Sequence, residues 1–315
     1  MKKVVSFFLL LLTAAIWGFA FIAQKASAEI PTFTITALRS IIAALFLFAL
    51  IPLTDRLQKN GRRFFSRAKI LDISRTELIG GILCGVILAV ATALQQYGLA
   101  CGTDAGKGAF ISSLYVVSVP VLGLLLRRRP PATVWISVCA AIAGFYLLSV
   151  KADFSVVPSD FIMLASSVMF AIHILTVGHF SPRCDGFRMS CVQFFAGAFL
   201  SAVIALFTER GAAPLSVIGE NLLPLLYLGL LSSAGAYTLQ ILAQKNSDPA
   251  VAAIVLSLES VFGVIGGMLF FHETMNAREY AGCAIVLLAV ILAQLDIPSM
   301  LRRRKKTPQD TGDPS

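Results

Sequence analysis

The stretch Leu94-Gln95-Gln96-Tyr97-Gly98-Leu99-Ala100-Cys101-Gly102-Thr103-Asp104-Ala105 is echoed 145 residues later by Leu239-Gln240-Ile241-Leu242-Ala243-Gln244-Lys245-Asn246-Ser247-Asp248-Pro249-Ala250. Leu94-Gln95 falls on Leu239-Gln240, Ala105 on Ala250 and, further along, Ser112 on Ser257, all at the same offset of 145. Thr103 and Asp248 share the register, and both residue types cap helix N-termini by accepting from N–H groups that the helix leaves free. The identities are sparse. They gain weight because each half also carries the same number of apolar helical segments, a pattern that predicts two like halves stacked into one membrane-embedded unit.

With 57% hydrophobic and 14% charged residues, the 315-residue chain is far from a soluble domain, in which about a quarter of residues are charged. Runs long enough to cross roughly 30 Å of hydrocarbon recur from end to end, at about 4–25, 32–53, 78–99, 104–126, 131–150, 159–179, 188–207, 220–243, 249–271 and 278–296. Each gap holds a breaker, a charge or a cap. The sequence therefore predicts an all-α integral membrane protein of ten transmembrane helices, divided into five-helix repeats at 1–151 and 158–297 and ending in a basic, disordered cytoplasmic tail at 298–315. No polar stretch leaves room for a soluble catalytic or nucleotide-binding domain; the largest loop is about 54–77. The six cysteines show no CxxC spacing, mostly lie in apolar runs, and read as small apolar residues.

Met1-Lys2-Lys3 before an apolar run, with Ala26-Ser27-Ala28 beyond it, resembles a cleavable leader. Val4 to Gln24 is long for the apolar region of one and Lys25 sits close to the supposed cleavage point, so the segment is expected to be retained as helix one.

Positive residues accumulate in cytoplasmic loops. With the N-terminus inside, 20 of the 26 Lys and Arg fall on the cytoplasmic side, among them the loop Arg56 to Arg75, Arg127 to Arg129 and the tail Arg302 to Lys306. This accounts for the net charge of +9 without nucleic acid as a partner. It places both termini in the cytoplasm. Five helices per repeat return the second repeat upside down, so the repeats are inverted. Loop 127–130, Arg-Arg-Arg-Pro, is then cytoplasmic, whereas its equivalent His272-Glu273-Thr274-Met275 faces outward without those charges.

Gln95-Gln96-Tyr97-Gly98-Leu99, Thr103-Asp104-Ala105-Gly106-Lys107-Gly108-Ala109-Phe110-Ile111 and Leu114-Tyr115-Val116-Val117-Ser118-Val119-Pro120 resemble the third and fourth helices of EamA-type carriers in the drug/metabolite transporter superfamily. Leu256-Ser257-Leu258-Glu259-Ser260-Val261-Phe262-Gly263, His272-Glu273-Thr274 and Gly282 supply the counterpart, and the resemblance runs from Trp17-Gly18 to the last span. It implies a ten-helix carrier with inverted repeats and a central cavity lined mainly by helices one, three, four, six, eight and nine, with five and ten peripheral. It also implies a multi-pass protein of the cell inner membrane that moves small metabolites, including amino acids and drugs, often outward. One departure is His272, where members often have Gly before the acidic residue.

Ionisable groups inside hydrocarbon cost about 2.5–3.5 kcal/mol or more unless a cavity or partner solvates them. Glu259 lies ten residues beyond Pro249, roughly 15 Å into helix nine, and the repeat register pairs it with Leu114, so a single carboxylate breaks the symmetry. It is expected to bind a cationic part of the substrate or a proton; a structural hydrogen bond to a neighbouring helix is the alternative. Arg39, inside helix two, either pairs with a carboxylate such as Asp104 or Glu29 or binds an anion. Lys107 either snorkels to headgroups or reaches the pathway. Together Arg39, Lys107 and Glu259 suit a zwitterion.

His173 could relay protons or bond to backbone. Gln95, Gln96 and Gln240 offer uncharged amides at equivalent places, and Trp17 and Tyr115 could stack on a ligand or simply pack. Gly81–Gly85 and Gly263–Gly267 have the spacing of close helix contacts, and Pro120 is expected to break the ladder of helix four.

The inventory is poor for an enzyme. No two Asp lie inside spans, His272-Glu273-Thr274-Met275-Asn276 lacks the second His of HExxH, and no GxxxxGK[ST] loop is present. The expectation is a non-enzymatic secondary transporter needing no cofactor and no metal, with a small-molecule substrate and the lipid bilayer as its partners. A flippase for a lipid-linked intermediate is the alternative, and proton coupling and a homodimer stay open.

Overall fold

The computed structural model describes residues 2–58, 73–103, 105–127, 130–149, 157–209, 214–271 and 277–294. The expectations for Asp104, for the loop His272-Glu273-Thr274-Met275 and for the tail 298–315 lie outside these residues. Those described are helical with no strand: α1 (Lys2–Ala26), α2 (Thr32–Gln58), α3 (Arg75–Ala100), α4 (Ala105–Ser113), α5 (Tyr115–Leu125), α6 (Ala132–Ser149), α7 (Pro158–Phe180), α8 (Gly186–Thr208), α9 (Leu215–Glu220), α10 (Leu222–Leu226), a π-helical stretch (Tyr227–Tyr237), α11 (Thr238–Gln244), α12 (Pro249–Leu256), α13 (Glu259–Phe271) and α14 (Ala277–Gln294).

Among the described residues, eight helical runs are long and apolar enough to cross a membrane, and two apolar helices, Ala132–Leu147 and Tyr280–Ala293, are shorter. These two stand where the sequence predicts the fifth and tenth spans. The surface is inverted relative to a soluble protein: Phe199, Leu206, Leu223 and Phe270 are exposed, while Arg39, Gln95, His173, Gln240 and Glu259 are buried. Such a surface suits hydrocarbon, where apolar side chains face lipid and polar ones must find partners inside.

Helices α2 and α8 pack as one pair and α6 and α14 as another. Helix α3 lies against α7 and α8, and α1 lies against α13 and the π stretch. Glycines set the closest approaches. A Cβ on Gly85 would fall 2.3 Å from Gln193 O on α8, and one on Gly18 would fall 2.7 Å from Glu259 O and 2.8 Å from Gly263 N on α13.

Two predicted spans are not continuous. The run containing α4 and α5 breaks at Leu114, and the run containing α12 and α13 breaks at Ser257-Leu258. Tightened three-residue bonds mark both places, Leu114 N→Ile111 O (3.2 Å) and Leu258 N→Val255 O (3.2 Å). Serine hydroxyls compete with the helix ladder for carbonyls and amides. Ser257 Oγ donates to Ile254 O (2.8 Å), and Ser260 Oγ reaches across to Ala109 O (3.1 Å) and bonds Ser113 Oγ. Pro120, expected to interrupt this run, sits inside α5 instead.

The π stretch was not foreseen. Wider turns leave room beside its carbonyls, and α1 uses it: Trp17 Nε1 donates to Ser232 O (3.2 Å) and Thr13 Oγ1 to Ala236 O (3.3 Å). Tyr227 Oη donates in return to Ile16 O (2.7 Å).

Because Gly18 faces backbone and the Phe262 Cβ, which is fixed to it, Gly18→Val cannot be absorbed by a side-chain shift and should lower stability by about 1–3 kcal/mol, the usual cost of overpacking. Gly219→Ala, which meets nothing within 4 Å, should be neutral. Monodisperse protein remaining after a temperature series reads both, and equal melting of the two variants would contradict the close α1–α13 contact.

Candidate functional site

A narrow cavity of about 30 Å³ lies where these helices converge, its polar lining supplied by Trp17 and Gln24 of α1, Arg39 of α2, Gln95 of α3, Tyr115 of α5 and His173 of α7, with Ser232 and Tyr237 of the π stretch, Gln240 of α11 and Glu259 of α13. Seven of the nine residues singled out from sequence therefore meet at one place. Gln96 and Lys107 are not among the lining residues. Gln96 Nε2 donates to Gln24 O (3.2 Å), holding α1 to α3.

Lys107 forms an ion pair with Asp160 at the start of α7. Asp160 also accepts from Val157 N (2.9 Å) and from Thr103 Oγ1 (3.2 Å), and Lys25 Nζ donates to Leu99 O (3.1 Å) and Thr103 O (3.3 Å). These bonds gather the ends of α1 and α3 and the beginnings of α4 and α7 at one rim.

Arg39 is 6% exposed and Glu259 is 4% exposed. Arg39 donates through Nε to Ser233 Oγ (3.0 Å) and through Nη2 to Ser232 Oγ (3.0 Å). Among the described residues its partners are thus hydroxyls, not the carboxylate foreseen as one possibility. Glu259 accepts from Ser113 Oγ at 3.4 Å, a long bond. The break before α13 makes Glu259 the first residue of a helix, where the helix dipole favours a negative charge. Neither residue is in ion-pair contact with the other. Opposite charges in a small, poorly solvated space favour a ligand carrying the complementary pair.

Tyr237 forms the centre of an aromatic wall, tilted on Trp17 with centroids 4.6 Å apart and meeting His173 edge-on at 5.6 Å and Phe194 at 5.8 Å. His173 Nε2 lies 3.0 Å from Gln193 Oε1, which makes Nε2 the protonated nitrogen if the amide is oriented as placed. Its bond is to α8, not to Glu259. The Tyr115 hydroxyl lies beside Glu259. Gln95 Nε2 donates to Ser112 Oγ (2.7 Å), whereas both amide atoms of Gln240 lack partners. Among the described residues no group of three His, Cys, Asp or Glu is placed to hold a metal.

Gln24, Ser232, Ser233 and Tyr237 were missed in the sequence. The register that exposed Glu259 would have found three of them, since it sets Ser232-Ser233 against Ile87-Leu88 and Tyr237 against Thr92.

The sequence matches the EamA-like transporter family twice, over residues 5–150 and 157–295. An uncharacterized transporter of Archaeoglobus fulgidus is 27% identical over 290 residues, 91% of this chain and 85% of its own. The threonine/homoserine exporter RhtA of Salmonella typhimurium is 25% identical over 193 residues, 60% of this chain and 61% of its own. A solved crystal structure shares the fold with a TM-score of 0.72 at 16% identity, covering 96% of this chain and 99% of its own.

Removing one member of a buried ion pair strands the other. Lys107→Met and Asp160→Asn should each destabilise the protein, and the double variant should be less destabilised than the sum by about 0.5–3 kcal/mol, the range for residues in direct contact. A double-mutant cycle on thermal stability in detergent measures this, and strict additivity would deny the coupling.

Proposed function

The chain belongs to the EamA-like transporter family, and from that premise we propose that it is a secondary carrier moving a small zwitterionic metabolite of the amino-acid class across the cell inner membrane. The observation that carries this is the sharing of one cavity by Arg39 and Glu259, both buried and neither in ion-pair contact with an opposite charge among the described residues. Arg39 takes the substrate carboxylate, in the bidentate geometry guanidinium groups favour, and Glu259 takes the ammonium group or a coupled proton. Trp17 and Tyr115 form apolar walls, while Gln95, Gln240 and His173 shape the polar surface around the ligand and Gln96 braces that wall through Gln24 O. The Lys107–Asp160 pair closes the rim beside α7. The exporter name of RhtA supports the amino-acid class.

Movement is by alternating access between two inverted five-helix repeats, 1–151 and 158–297, with ten helices in all and both termini cytoplasmic. The double match to one family and the breaks at Leu114 and at Ser257-Leu258, within two residues of the repeat register of 145, support that arrangement, as does the charge partition. The lining by seven different helical runs favours a soluble metabolite over a lipid tail.

Counterflow of radiolabelled amino acids into proteoliposomes loaded with the unlabelled compound tests the proposal. Glu259→Gln and Arg39→Gln should each cut the rate about tenfold or more, in line with the loss of a hydrogen bond to a charged group. Counterflow by Glu259→Gln at the wild-type rate and with wild-type pH dependence would remove the carboxylate from the mechanism. Vesicles that move no amino acid but flip a labelled lipid would establish the flippase alternative.

A further inference from the structure

The repeat-equivalent amides Gln95 and Gln240 stand in different states. Gln95 donates to Ser112, its neighbour across α3 and α4, at 2.7 Å. The counterpart of Ser112 is Ser257, whose hydroxyl turns to its own backbone at Ile254 O (2.8 Å). Gln240 is left wholly buried on the cavity wall with neither Oε1 nor Nε2 bonded to any described residue. A buried amide with both ends unmade is costly, and here both ends belong to one side chain lining the cavity that holds Arg39 and Glu259. Gln24 Oε1, on the same wall, is a further buried acceptor without a partner.

We propose that Gln240 reads the substrate's side chain, donating through Nε2 and accepting through Oε1 with a neutral polar group that is both donor and acceptor. The substrates are then small amino acids bearing a hydroxyl or a carboxamide, in preference to aliphatic ones of the same shape. A carboxamide satisfies both atoms of Gln240 at once; a hydroxyl satisfies one. A site built to bond such a group discriminates strongly against the analogue lacking it, because its own polar atoms are then stranded. This assignment rests on the zwitterion reading of the same cavity, with Arg39 and Glu259 holding the backbone groups and Gln240 the remainder.

Isosteric pairs isolate the contact: threonine against valine and asparagine against leucine, each in proteoliposome counterflow with the full-length protein. Wild type should favour the polar member of each pair by about tenfold or more. Gln240→Met, close in volume and unbranched, should bring both ratios to within about twofold while still moving valine and leucine, which also shows that the variant is folded. Thermal protection of wild type by the four amino acids repeats the comparison without a variant. Equal counterflow of threonine and valine by wild type, or an unchanged preference in Gln240→Met, overturns the role of Gln240 and leaves the carrier reading standing. Wild-type vesicles that move none of the four overturn both.

Discussion

Inside hydrocarbon no water is present to complete a polar group, so every carbonyl, amide and hydroxyl must be answered from within the protein. Much of this architecture follows from that constraint. Ser166 Oγ donates to Ala91 O (2.8 Å), Gln244 Nε2 to Ile174 O (3.0 Å), and Tyr227 Oη to Ile16 O (2.7 Å), each tying one helix to the backbone of another. Where the ladder is broken, at Leu114 and at Ser257-Leu258, serines complete the interrupted ends and join the breaks to each other through Ser113 and Ser260. Irregular backbone at such depth is tolerated where protein or a cavity surrounds it, and both breaks adjoin Glu259.

The charged groups obey the same rule by different means. Arg39 is answered by two hydroxyls of the π stretch, and Glu259 by a helix start and a distant serine. Lys107 and Asp160 answer one another at the rim, where they draw Thr103 and Ser159 into the same network. The rim is therefore satisfied internally, while on the cavity wall Gln240 and the Oε1 of Gln24 are without partners among the described residues. A ligand bearing both charges would complete Arg39 and Glu259 together, and binding energy would come from groups the fold already holds in place.

The sequence revealed the long-range plan better than the local geometry. Apolar runs at 4–25 or 78–99 are legible because bilayer thickness dictates their length, and Glu259 stood out because a carboxylate replaces Leu114 in an otherwise apolar register. Glu259's place at a helix start was hidden, since Leu256-Ser257-Leu258 is compatible with a continuing helix and only the cross-helix bond of Ser260 to Ala109 O shows where the ladder yields. The π winding over Tyr227–Tyr237 was equally hidden, because small and apolar residues fit either pitch and its benefit appears only once Trp17 and Thr13 are opposite. The Lys107–Asp160 pair was hidden too, since Asp160 is distant in the chain and the pairing exists only after α4 meets α7.

The approach of Gly18 to α13 brings it against Glu259 O and Gly263 N, with Phe262 Cβ nearer still. Farther along the same seam Ile22 and Phe19 close on Gly266, and Phe19 meets Phe270 edge-on. Interlocked side chains act as teeth, and moving one helix past another must first disengage them. The α1–α13 seam is toothed in this way along its length, so the two helices are keyed to each other and travel as one piece.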